Sequence, residues 1–144
     1  MASQPDVTVR EFVAADLDRA LALWSSVEGL GLNESDSDEA LQAFLLRNPG
    51  FSAIATSADS SVIGAVLCGH DGRRGTIHHL AVARSHRRRG IAKQLLEHCL
   101  GRLRQANVPR CNVFLYDDNL GGVGFWLHNG WIASTTWKTY QRRV

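Results

Sequence analysis

The chain has 144 residues, 44% of them hydrophobic, which is enough for one packed core and one domain spanning 1–144. A net charge of +2 excludes a global attraction to polyanions, and no apolar run approaches the roughly 20 residues of a bilayer span. The opening "MASQPDVTVREF" lacks the basic and apolar regions of a secretory signal, so a soluble, cytoplasmic protein is expected.

In chain order, "VTVREF" alternates as a strand with Val7 and Val9 on one face. Asp16 is placed to cap a helix in which Leu17, Ala20, Leu21, Trp24 and Val27 recur at helical spacing until Gly29 and Gly31. Ser35, with Asp38 three residues later, opens a second short helix whose apolar face is Leu41, Phe44 and Leu45; Asn48, Pro49 and Gly50 end it. The period then falls to two. "FSAIAT", "VIGAVLCG" and "TIHHLAV", separated by the turns "SADSS" and "HDGRRG", predict an antiparallel meander of three strands. Ile91, Leu95, Leu96, Cys99, Leu100 and Leu103 form the stripe of an amphipathic helix, which "ANVP" ends before the strand "CNVFLY". Strand, turn, helix and strand predict a parallel pair with a right-handed crossover. Residues 121–128 are a further helical segment despite Gly121, Gly122 and Gly124, and "GWIASTTWKTYQRR" alternates as one last strand.

Positive charge is local. Arg84, Arg87, Arg88, Arg89 and Lys93 lie within ten residues that hold no acid, at the junction between the third meander strand and the amphipathic helix. A helix amino terminus exposes about four unpaired amides and about half a unit of positive charge. Gly90 lets a backbone approach an anion there, so the junction reads as a site for a diphosphate or a phosphorylated ribose. An arginine run alone would equally be a solvated face or a nucleic-acid patch; the spacing of Gly90 and Ala92 at the junction favours the anion cradle and no nucleic-acid partner. Cys68, Cys99 and Cys111 are odd in number and include no CxxC pair, which argues against a disulfide framework and a thiolate zinc site. The six histidines lack paired ligand spacing, so no metal is expected.

"RRRGIA" resembles the Arg/Gln-x-x-Gly-x-Gly/Ala signature of the GCN5-related N-acetyltransferases, the GNAT family. "IHHLAV" ahead of it is similar to that family's fourth strand, and "NLGGVGFWLHNGW" behind it to the family's Asn-x-x-Ala-x-x-Phe-Tyr-x-x-x-Gly-Phe segment. The resemblance implies a mixed α/β fold, with a mostly antiparallel twisted sheet, helices on both faces and a splay between the fourth and fifth strands. It also implies that acetyl-coenzyme A binds there, with Leu80, Ala81 and Val82 along the pantetheine arm and Arg87, Arg88, Arg89, Gly90, Ile91, Ala92 and Lys93 at the pyrophosphate. By the same resemblance Asn119 caps the last helix and faces the pantetheine, and Phe125 packs beneath the cofactor. Trp126 stands where the family often has a tyrosine that protonates the leaving thiolate, and an indole NH cannot transfer that proton.

Acetyl transfer needs a neutral amine, hence a base. Strict alternation puts His78 on one face with Leu80 and Val82, and His79 on the other with Ile77 and Ala81. Histidine on that strand also occurs in the aralkylamine branch of the family, which favours His78 as the base. Glu28 is the second catalytic candidate, and Glu34 lies in the same loop between the first two helices, where the family builds its acceptor pocket. The oxyanion is expected to meet a backbone NH at Val82 or a neighbour. The resulting expectation is direct acetylation of a primary amine on a small molecule or peptide. The alternative is a coenzyme-A-binding regulatory or scaffold protein with little turnover. No membrane partner is expected; oligomeric state carries no signature, a homodimer being the assembly considered.

Overall fold

A computed structural model describes residues 6–28, 30–116 and 118–144 of the chain. The expected stop at Gly29 lies outside the described residues. The chain falls into two compact units, Met1–Phe114 and Leu115–Val144.

The first unit carries one five-stranded sheet in the order β1-β2-β3-β4-β5, formed by Thr8–Glu11, Ala53–Thr56, Val62–His70, Arg74–Val82 and Arg110–Val113. The meander is antiparallel, as its two short turns dictate, and β4 and β5 run parallel around the crossover helix α3, Ile91–Gln105. Helices cover both faces. Ala65 and Leu67 of β3 point into a core with Phe12, Leu17, Ala20 and Trp24, which come from β1's end and from α1, Leu17–Ser25. Gly64, next to Ala65 and so on the opposite face, lies under Leu95 and Ile91 of α3. Ile91, Leu95, Leu96, Cys99 and Leu103 are buried as their spacing predicts.

The second helix, α2, spans Asp38–Arg47 and begins two residues later than Ser35 would have it. Ser37 is its cap, accepting from the Ala40 amide at 3.2 Å. Asn33 instead caps a short 3-10 turn over Glu34–Asp36, its Oδ1 accepting from Ser35 N while Asp36 Oδ2 accepts from Asn33 N. Two capping residues four apart divide the segment, which keeps Asp36 outside the helix. The far end of α2 seats closely on β3 because Gly69 has no side chain: a Cβ there would lie 2.7 Å from Asn48 Nδ2 and 2.8 Å from Phe44 Cζ.

Asp16 does not cap α1 with its side chain. The buried carboxylate accepts both guanidinium nitrogens of Arg10 at 2.8 Å and the Val13 amide at 2.9 Å, tying the end of β1 to the start of α1. Burial alone raises its pKa, but the hydrogen bonds from Arg10 and Val13 outweigh it and leave the carboxyl below its ordinary value.

Within the second unit α4 spans Leu120–His128, and Asn119 caps it, its Oδ1 accepting from the Gly122 amide at 3.0 Å. The last strand expected after Gly130 does not form: 131–144 has no regular secondary structure. Among the described residues the unit contains no strand for it to pair with, and alternation specifies a strand only where a ladder receives its backbone groups.

Asp16→Asn should lower unfolding stability at pH 7 by about 2 kcal/mol in urea titrations. Because the native pKa is depressed, the wild-type advantage is present above the unfolded value of about 3.9 and disappears as pH falls through the native one.

Candidate active site

The junction between β4 and α3 is built of backbone. A 3-10 turn over Arg84–His86 leads to Arg88 and Gly90, whose φ angles of 63° and 76° are left-handed, and α3 starts at Ile91 with Gly90 as its cap. These left-handed residues, three and one positions before Ile91, turn the chain sharply into the helix. Among the described residues no acceptor meets the amides of 88–93; the first amide of the helix with a backbone partner is that of Gln94, bonded to Gly90 O at 3.1 Å. Arg88, Arg89 and Lys93 are exposed around this ring of donors. Arg87 is engaged differently, its Nε donating to Val82 O at 3.1 Å and holding the end of β4 against the turn.

The same end of β4 lacks a neighbour. Its pairing with β5 runs from Arg74↔Arg110 to Ile77↔Val113 and stops, whereas β4 continues to Val82. Leu80, Ala81 and Val82 therefore lie on a stretch of β4 paired with β3 and, among the described residues, with no strand on the other side.

Strict alternation fails in β4. Between the pairs Leu67↔His78 and Ala65↔Ala81, β3 advances two residues and β4 three, and the extra residue is accommodated at His79, where φ is 54°. The bulge corrects the facing expected from the sequence: His78 and His79 both reach the α2 side, while Ile77 remains outside that core. The bulged carbonyl, His79 O, accepts from Trp24 Nε1 at 2.6 Å, and the two rings meet tilted, 5.2 Å between centres at an interplanar angle of 57°.

Both histidines line a cavity of about 500 Å³ together with Asn33, Asp36, Phe44, Arg47 and Leu67. That volume lies within the range of about 300–1,000 Å³ usual for small-ligand sites. His79 Nε2 meets Asp36 Oδ1 at 2.7 Å. His78 has no such partner and meets the edge of Phe44 at 6.0 Å between ring centres. Burial, reinforced by the neighbouring His79, lowers the His78 pKa from 6.5, with Asp36 opposing, so its imidazole is neutral at pH 7. Glu28 is exposed in the turn after α1, and neither it nor Glu34 is among the residues lining the cavity. Sequence reasoning missed Asp36 and Arg47; a capping residue and a helix-end cation carry no signal until the bulge turns the histidines toward them.

In the second unit Trp126 is buried, its ring 5.4 Å from Phe125 and 4.7 Å from Trp131. The cysteines are free; Cys68 and Cys99 are buried and burial pushes the half-buried Cys111 thiol up to about 12, which leaves no ready thiolate nucleophile among them. Among the described residues there is no group of three or more potential metal ligands, and no helix is long and apolar enough to cross a membrane.

The family model described as Acetyltransferase (GNAT) family matches residues 17–131. This chain belongs to the GNAT family. An acetyltransferase of Yersinia enterocolitica is 26% identical to it over 119 residues, 82% of either chain. Among solved structures, Ard1 of Thermoplasma volcanium is similar with a TM-score of 0.78 at 19% identity, covering 90% of this chain and 85% of its own. The PaiA N-acetyltransferase of Thermoplasma acidophilum, solved with coenzyme A, gives 0.74 at 18% identity, over 86% of this chain and 88% of its own. At these identities the structural likeness shows the fold.

Trp24→Phe removes the donor to the bulged carbonyl while keeping an aromatic ring in the core. It should cost about 1–2 kcal/mol of unfolding stability, measured by urea denaturation at pH 7.

Proposed function

We propose that this acetyltransferase uses acetyl-coenzyme A to acetylate a primary amine of a small molecule or peptide by direct transfer. The observation that carries the reading is the run of unmet amides from 88 to 93 at the end of a strand that has lost one neighbour. Such a turn suits a diphosphate, because each fixed N–H donates without reorganisation and the α3 dipole adds to it. The free side of Leu80, Ala81 and Val82 suits an extended, amide-bearing arm that adds to the sheet edge as a strand would. Acetyl-coenzyme A, when bound, supplies the thioester whose acetyl group is transferred.

The chain's own part is proton management and orientation. His78, neutral and inside the cavity, takes the proton that the amine must lose, directly or through a water. His79 is committed to Asp36 and to the bulge, so it orients the loop before α2 instead of serving as the free base. Glu28, exposed and away from the cavity lining, is not given that role here. A backbone amide near the bulge stabilises the charge that develops on the carbonyl oxygen. Solvent protonates the leaving thiolate.

Thiol release in a panel of amines tests the reaction. Binding of coenzyme A without turnover of any amine would favour a regulatory role. Gly90→Val places a branched side chain on a left-handed backbone and should weaken coenzyme A binding at least about tenfold by calorimetry, in line with the roughly 1–2 kcal/mol such a conformation costs. Unchanged affinity in a folded variant would contradict the amide cradle. For the base, kcat/KM should fall on the acid side as His78 becomes protonated below its lowered pKa. His78→Ala should lose that limb and about 100-fold in rate at pH 7; an acid limb identical to wild type would remove His78 from the mechanism.

A further inference from the structure

The cavity beside His78 is asymmetric in charge. Its one lining carboxylate, Asp36, is fully committed: Oδ1 faces His79 Nε2 at 2.7 Å and Oδ2 accepts the Asn33 amide at 3.0 Å. Arg47 is its one lining arginine, and among the described residues no carboxylate lies within ion-pair distance of it. Between them the wall is apolar, made by Leu41, Phe44 and Leu67 with two alanines of α2. The site thus has a positive charge to offer and no negative one to spare.

Position sharpens this. Ala40, Ala43, Phe44 and Arg47 recur at helical spacing along one face of α2. Arg47 follows Phe44 by three residues, a rise of about 4.5 Å. Phe44 is the residue whose ring meets His78. A ligand whose amine lies at His78 therefore has the Arg47 guanidinium one helical turn further along the same wall. A polycationic acceptor, such as a polyamine, finds the reverse of what it needs: a repelling arginine and a carboxylate already paired.

We propose that the acceptor is an amine that also bears a carboxylate, joined by an apolar body, and that Arg47 binds the carboxylate. The guanidinium fork matches a carboxylate with two parallel hydrogen bonds, which fixes the acceptor's direction in the cavity. This assignment rests on the amine-acetylation reading above and names its substrate class.

The test measures thiol release from acetyl-coenzyme A with γ-aminobutyrate, ε-aminocaproate, the amides of both, and spermidine. Wild type, Arg47→Gln and Arg47→Lys are compared, with calorimetric binding of coenzyme A and thermal melting to show that each variant is folded. The expected result is turnover of the carboxylate-bearing amines in preference to spermidine, and an acid-to-amide ratio of kcat/KM that falls about tenfold or more in Arg47→Gln, chiefly through KM. Arg47→Lys should keep part of the ratio. Taking the ratio cancels the different basicity of the acid and amide nitrogens. An unchanged ratio in Arg47→Gln, or spermidine exceeding every carboxylate-bearing amine in wild type, overturns the assignment while leaving amine acetylation intact. Absence of turnover with every amine, in protein that still binds coenzyme A, overturns the amine-acetylation reading and the acceptor assignment with it.

Discussion

One extra residue in β4 decides what the sheet can do. A regular nine-residue strand would alternate throughout and put its two adjacent histidines on opposite faces. The bulge at His79 brings both to the α2 side, and the Trp24 indole satisfies the carbonyl that the bulge takes out of the ladder. That hydrogen bond matters because a displaced carbonyl left buried without a donor would cost about 1–3 kcal/mol, enough to favour a regular register. α1 therefore helps to specify the site although none of its residues lines the cavity. The histidine that holds the bulge also holds Asp36, so the loop before α2 and the strand are fixed by the same side chain.

The second constraint is the difference in length between β4 and β5, nine residues against four. Pairing at one end of β4 anchors it to β5; beyond that pairing an edge runs from His78 to Val82, about 13 Å at the usual strand rise. That open edge runs directly into the amide-lined turn. A ligand with an extended arm and an anionic head meets both features in order, and the arginines around the turn act at longer range. Exposed charges are screened over roughly 8–10 Å in ordinary salt, whereas fixed amides in contact with the anion are not. The backbone thus supplies geometry and the side chains mainly attraction.

The meander, the parallel crossover and the α3 stripe were legible because each depends on local periodicity and turn chemistry. Ile91, Leu95, Cys99 and Leu103 are buried for the reason their spacing announced. The left-handed turn into α3 was legible too, since Gly90 at a strand-to-helix junction is a local feature. The bulge was not: "TIHHLAV" alternates as well in one register as in another, and only the pairing with β3 shows the added residue. The start of α2 was misplaced because Asn33, Ser35 and Ser37 are all competent caps within five residues, and the choice among them depends on what Asp36 can reach. The final strand failed for the converse reason. Its alternation is real, but a strand is a relation between two segments, and among the described residues its own unit supplies no second one.

The charge state of His78 follows from its surroundings. A base that must be neutral at pH 7 gains from burial, which disfavours the imidazolium, and from a neighbour whose own positive charge opposes a second one. His78 has both influences, and Asp36, which would favour protonation, spends its nearer oxygen on His79. A lowered pKa weakens His78 as a base, and in return leaves nearly all of it in the accepting form near neutral pH. Exchange the roles, and the base would be the histidine that braces the bulge; each protonation would then alter the contact that shapes the cavity. On the proposed function, with His79 fixed and His78 free, a proton would enter and leave without disturbing the wall of the cavity.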